Sequence, residues 1–193
     1  MKAAAFDYVR ASSVDEICRL LAEAGDEERK IIAGGQTLVP LMAMRMARPD
    51  MLIDINDVAE LAGIDDHGDY VSFGAGTRQR AIERSDIVSG RLPLVAKAVR
   101  NVGHQQTRNR GTIGGSLAHA DPAADWVIVL TALCATVIVR EPGGNSPPLQ
   151  IPMEEFIIGP YSTALSPEDI LTAVDVPRPG NGARWAYWKY SRQ

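Results

Sequence analysis

The sequence predicts an α+β fold with an α/β N-terminal part: a small βαβ unit on a parallel sheet, then a larger mixed sheet with helices. Three observations carry that prediction. Two short apolar runs, at 30–33 and 51–55, flank a helical stretch, and strands joined through a helix in this way run parallel with a right-handed crossover. After Asn56 the pattern changes to alternation, with Tyr70, Val71, Ser72 and Phe73 following a turn of aspartate and glycine, which marks a second subdomain. The 193 residues are 46% hydrophobic, enough for one sizeable core or two small ones sharing a ligand. The subdomains are expected at 1–57 and 58–177.

Ser13 and Glu16 make a capping box, and Val14, Ile17, Leu20, Leu21 and Ala24 then recur at helical spacing up to Gly25. The first apolar run leads into a glycine turn with polar side chains, Gly34, Gly35, Gln36 and Thr37. A helix follows over 40–47, carrying Leu41, Met42, Met44 and Met46 until Pro49 ends it, and 51–55 is the next strand. Thr77 is placed to cap a helix carrying Ile82, and 92–100 forms another with Leu94, Val95, Ala98 and Val99 on one face. Pro122 falls in the first turn of a helix that continues through Trp126, Val127, Ile128 and Leu130. The β-branched run 135–139 reads as a strand, 142–145 as a hairpin turn and 170–176 as a strand ended by Pro177. The chain breaks at 178–182 and finishes on Trp185, Tyr187, Trp188 and Tyr190, an exposed aromatic stretch that wants a partner surface.

A net charge of -4 without a basic stripe interleaved with aromatic residues argues against nucleic acid as a partner. No run is long or apolar enough for a signal peptide or a membrane span, so the chain reads as cytoplasmic. Cys18 and Cys134 stand far apart with no CxxC or CxxH neighbour, which leaves two buried thiols and no zinc or iron-sulfur site. His67 falls in a solvated turn, and His104 is expected to pack a loop.

The most informative stretch is RNRGTIGGSLAHADPAAD at 108–125. Gly111, Gly114 and Gly115 remove Cβ atoms, so successive backbone N–H groups can converge on an anion such as a phosphate, ahead of the helix at Pro122. The turn at Gly34 and Gly35 is a second such loop, with Gln36 and Thr37 adding donors at the start of the following helix. Neither loop matches GxGxxG or the P-loop pattern, so both of those nucleotide sites are poor fits. Two glycine turns from different subdomains can instead close on the two ends of a long dinucleotide. Arg108 and Arg110 are either phosphate ligands or structural arginines beside a tight loop. His119 and Asp121 suggest part of a catalytic constellation, but no nucleophilic serine with an ordered base accompanies them, and no residue is assigned a catalytic or metal-binding role.

The segments AGGQTLVPLMAMRMARPDMLIDI, at 33–55, and RNRGTIGGSLAHADPAAD together resemble the FAD-binding medium subunit of bacterial molybdenum hydroxylases, the carbon monoxide dehydrogenase and xanthine dehydrogenase family. The resemblance covers nearly the whole chain. It implies a vanillyl-alcohol-oxidase-type fold with FAD between a small βαβ subdomain and a larger one. Ile31, Ile32, Ala33, Gly34, Gly35, Gln36, Thr37 and Leu38 would wrap the pyrophosphate from one side, and Thr112, Ile113, Gly114, Gly115 and Ser116 from the other. His119 is carried over with them as a cofactor contact. Asp125 matches a flavin-contacting carboxylate and Val102 a position lining the cofactor, while Leu171 and Lys189 match positions near the flavin ring.

The resemblance further implies an oxidoreductase subunit that takes electrons from iron-sulfur clusters of a small partner and passes them to NAD, a quinone or oxygen. The organic substrate would be oxidised at the molybdenum cofactor of a large partner. Two alternatives stay open: a truncated structural partner without functional flavin, and a stand-alone FAD oxidase using His104 or His119. Family members continue beyond the aromatic stretch into a C-terminal domain, so 178–193 is expected to begin a segment leading to a domain absent here.

Overall fold

The computed structural model describes residues 2–142 and 147–190, which leaves the expected hairpin turn at 142–145 outside the described residues except for Pro142. Strand β1 (Asp7–Arg10), helix α1 (Val14–Ala22), β2 (Arg29–Ile32), α2 (Leu38–Ala43) and β3 (Met51–Asp54) form the first layer. Its sheet is parallel, in the order β1-β3-β2, so β2, α2 and β3 are the expected βαβ unit. β1 has no counterpart in the sequence reading because Asp7, Tyr8 and Arg10 are exposed and only Val9 turns partly inward, which leaves no apolar period to detect.

α1 forms where its cap requires. The Ser13 hydroxyl oxygen accepts from the Glu16 N–H at 3.1 Å, while the Glu16 carboxylate reaches back to the Ser12 N–H at 2.8 Å, one residue earlier than in an ideal box. Val14, Ile17, Cys18 and Leu21 then bury one face against Ile53, Ile55, Val58 and Leu61. Ser13→Ala should therefore cost about 1 kcal/mol and lower the calorimetric Tm by about 2–4 °C. An unchanged Tm would show that the cap bond contributes nothing.

α2 stops at Ala43 and not at Ala47, because Arg45 takes a left-handed φ of 60°. Met44 and Met46 are consequently exposed.

The second layer contains β4 (Ile64–Asp66), β5 (Tyr70–Gly74), α3 (Gln79–Arg84), α4 (Asp86–Arg91), α5 (Pro93–Val99), α6 (Gln105–Arg110), α7 (Ile113–His119) and α8 (Asp125–Ala132). It continues with β6 (Thr136–Arg140), β7 (Leu149–Pro152), α9 (Met153–Phe156), β8 (Ile157–Gly159), β9 (Ser162–Thr163) and β10 (Ile170–Pro177). Its main sheet, β4-β5-β10-β6-β7, was expected to be mixed, and every pairing in it is antiparallel. The five helices α3, α4, α5, α7 and α8 supply Ile82, Val88, Val95, Leu117 and Trp126 to one core with Phe73, Val137 and Val174 of the sheet. β10 joins the layers: Ile170 packs in the first core, and Leu171, Val174 and Val176 pack in the second.

Several local expectations give way to tertiary bonds. Thr77 does not cap α3; its hydroxyl donates to Gly63 O at 2.8 Å and accepts from Gly63 N at 3.0 Å, and Arg78 holds the cap position. Pro122 lies ahead of α8, which opens at Asp125. The glycine run does not lead a loop up to that helix, since Gly114 and Gly115 sit inside the first turn of α7, capped by Thr112. Cys18 is buried as expected, but Cys134 is exposed. His67 is exposed and stacked on Tyr70. Residues 183–190 adopt no regular secondary structure. Trp188 and Tyr190 stand 94% and 93% exposed there, whereas Tyr187 is tucked against the core.

Candidate cofactor-binding site

A cleft of about 570 Å³ opens between the two layers. One wall is the end of β2 and its turn into α2; the other is formed by Val102, Gly103 and the start of α7, with Ile55, Ala75, Ile170 and Leu171 completing the lining. Ile31, Ile32, Ala33, Gly34, Gln36, Thr37, Leu38, Val102, Thr112, Gly114, Gly115, Ser116, His119 and Leu171 all line it. The sequence reading thus brings most of its candidates to one place. Gly35, Ile113, Asp125 and Lys189 do not line it. Gly35 makes the turn at a φ of +67°, which favours glycine, and Ile113 points into the core with no exposed surface.

The two glycine motifs contribute differently. Around α7 the N–H groups of Gly111, Ile113, Gly114 and Ser116 donate to the carbonyl oxygens of Thr107, Thr77, Ala75 and Thr112, and that of Gly115 donates to the Thr112 hydroxyl. The converging free donors expected there are already used by the protein. In the β2–α2 turn, by contrast, no backbone N–H from 34 to 38 donates to a protein group among the described residues. Five consecutive amides beside a cleft suit an anion.

Glycine permits close approach at both motifs. A Cβ on Gly34 would overlap the Arg110 carbonyl oxygen and lie 2.8 Å from Gly111 Cα, so the two loops meet backbone to backbone. A Cβ on Gly114 would lie 2.6 Å from Ala75 Cβ, whereas one on the exposed, cleft-lining Gly115 would meet only side chains, the Thr112 hydroxyl at 2.8 Å and Ala33 Cβ at 4.0 Å. Free amides on one wall, a bare glycine on the other and apolar cover from Ile31, Leu38, Val102 and Leu171 fit a dinucleotide such as FAD.

Arg108 settles as a structural arginine. It is buried, with Nε 3.0 Å from Glu83 Oε2, and its Nη1 donates to the carbonyls of Val102 and Gly103, both at 3.1 Å, bracing the cleft wall. Burial opposes the charge on Glu83, but Arg108 and Arg80 outweigh it and hold that carboxyl below its usual range. Arg110 is exposed, and its carbonyl accepts from Arg78. Burial, reinforced by Arg110, lowers the pKa of the Arg78 guanidinium.

At the edge of the cleft, Asp125 follows the lining residue Ala124 and collects two donors. The Tyr187 hydroxyl donates to its Oδ1 at 2.6 Å and Lys189 Nζ to its Oδ2 at 2.6 Å; Lys189 also reaches Asn101 O at 2.8 Å. Burial, then the bond to Asp125 and its charge, push the Tyr187 phenol far up. Asp121 lines the cleft and accepts from Ala123 N; His119 faces Tyr161, with ring centroids 5.2 Å apart. His104 does not pack a loop: it is exposed at the cap of α6. Gln79, Thr107 and Asp169 line the cleft without having been anticipated, and nothing local in the sequence sets them apart. No helix of the described residues is long and apolar enough to cross a membrane.

The family described as the FAD binding domain in molybdopterin dehydrogenase matches residues 4–179. The nicotine 6-hydroxylase medium subunit of Paenarthrobacter nicotinovorans is 42% identical over all of this chain and 66% of its own length. The carbon monoxide dehydrogenase medium chain of Hydrogenophaga pseudoflava is 38% identical over 97% of this chain and 64% of its own. Among solved structures, carbon monoxide dehydrogenase from Hydrogenophaga pseudoflava superposes with a TM-score of 0.95 at 38% identity, over 100% of this chain and 66% of that one. Quinoline 2-oxidoreductase from Pseudomonas putida 86 gives 0.93 at 34%, over 100% and 65%. The chain spans just under two thirds of the length of these relatives.

Proposed function

Because the chain belongs to the family of FAD-binding domains of molybdopterin dehydrogenases, we propose that it holds FAD in the interlayer cleft as the electron-transfer part of a multi-subunit molybdenum hydroxylase. The observation that carries this reading is the run of amides at 34–38 that donate to no protein group among the described residues, in a turn that lines the same cleft as Gly115. The amides would hold the pyrophosphate, which needs donors but no side-chain cation. Ile31, Leu38, Val102 and Leu171 would cover the rings and exclude water. Asp125 and Lys189 would sit at the flavin end. FAD supplies the redox chemistry, exchanging electrons singly or in pairs.

The relatives' names, a medium subunit and a medium chain, support a multi-subunit setting; the rest of the reading extends the resemblance. The electrons would come from an iron-sulfur subunit, the organic substrate would meet a molybdenum subunit, and NAD, a quinone or oxygen would be the acceptor. The cleft residues support an electron-transfer role over a stand-alone oxidase: His104 lies outside the lining, and the His119 ring rests against Tyr161. Adding FAD to the purified 193-residue chain and removing the excess by gel filtration should leave flavin absorption with the protein peak. A colourless peak would overturn the reading.

A further inference from the structure

Tyr187, in a segment without regular secondary structure, reaches the same carboxylate as Lys189. Its ring packs on the core of the second layer, and its hydroxyl donates to Asp125 Oδ1 at 2.6 Å. The other carboxylate oxygen holds Lys189 Nζ at 2.6 Å, and the same ammonium donates to Asn101 O at 2.8 Å. Asn101 and Asp125 are the immediate neighbours of two lining residues, Val102 and Ala124. The irregular segment carrying Tyr187 and Lys189 therefore spans from one of these positions to the other.

A carboxylate held by the ammonium alone can rotate about its Cβ–Cγ bond and carry the lysine with it. A second donor on the opposite oxygen removes that freedom. We propose that Tyr187 is a positioning residue for the cofactor: by fixing the Asp125 carboxylate, it sets where the Lys189 ammonium stands at the end of the cleft. The inference rests on the FAD reading of the cleft and adds to it a residue that acts through Asp125 and Lys189 without touching the ligand.

The test is a double-mutant cycle on the 193-residue chain with Tyr187→Phe, Lys189→Met and both, titrating FAD and following the quenching of its fluorescence. Tyr187→Phe keeps the half-buried ring and loses one hydrogen bond, so FAD should bind about three- to tenfold more weakly. Because Tyr187 acts through Lys189, the double variant should bind no more weakly than Lys189→Met alone. A tyrosine that merely stabilises the fold gives the opposite pattern, with the two losses multiplying. That result, or wild-type affinity in Tyr187→Phe, overturns the inference while leaving the FAD reading intact. A wild-type chain that takes up no FAD overturns both.

Discussion

Arg108→Met should lower stability by about 3–5 kcal/mol and the Tm by roughly 6–20 °C, the largest loss expected from any single charged side chain here. The side chain of Arg108 is 10% exposed and that of Glu83 13%, so the pair has little solvent to screen it. Among the described residues, removing the guanidinium leaves Glu83 with Arg80 alone, at 2.6 Å, and deprives the Val102 and Gly103 carbonyls of this donor. Both carbonyls belong to the cleft wall, so flavin affinity should fall with stability. The pH dependence gives a second check. A carboxyl held below its ordinary value of 4.5 stabilises the fold above that pH, and the contribution is lost as pH falls through the depressed folded value. The difference between wild type and variant should therefore shrink below about pH 4.5. Calorimetry at pH 7 and below 4 decides it, and a variant that melts with the wild type at neutral pH removes Arg108 from the account of the wall.

Neighbouring glycines in α7 should respond in opposite ways. Gly114→Ala puts a methyl 2.6 Å from Ala75 Cβ and 2.7 Å from its carbonyl oxygen, where backbone must yield. The overlap should cost about 1–3 kcal/mol even after the better helix propensity of alanine is counted. Gly115→Val faces the cleft, and its nearest obstacle is the Thr112 hydroxyl at 2.8 Å, a side-chain atom that can rotate away at the expense of the cap. The fold should survive with a Tm a few degrees lower. FAD affinity should fall about a hundredfold, or 2.7 kcal/mol, because the added methyls occupy the ligand's side of the cleft. Melting curves and flavin titrations of the two variants separate these effects. Full flavin occupancy in Gly115→Val would remove that face from the binding site.

The contrast shows what could be read from the sequence and what could not. α1 was legible because its cap and apolar period lie within a dozen residues, and β3 and β10 because both are mostly apolar strands bounded by turn signals. β1 was not, since it pairs through backbone bonds to β3 while presenting mostly polar residues outward. The cleft was legible as two glycine motifs. Their division of labour was not, because the acceptors that consume the α7 amides, Ala75 and Thr77, come from some forty residues away in the chain. Arg108 looked the same as a ligand or as a brace until Glu83 was placed beside it. Tyr187 appeared as one of four exposed aromatic residues, and only the position of Asp125 distinguishes it from Trp188.

β10 gives the cleft an unusual floor. Ile170 and Leu171 are consecutive, both line the cleft, and they belong to different cores. A clamshell opens about a linker of several residues that can absorb changes in φ and ψ. At Ile170 and Leu171 one peptide bond inside a paired strand carries a side chain into each core, so movement of the layers at this point would disturb strand pairing or packing. The base of the cleft is thus tied to both cores at once.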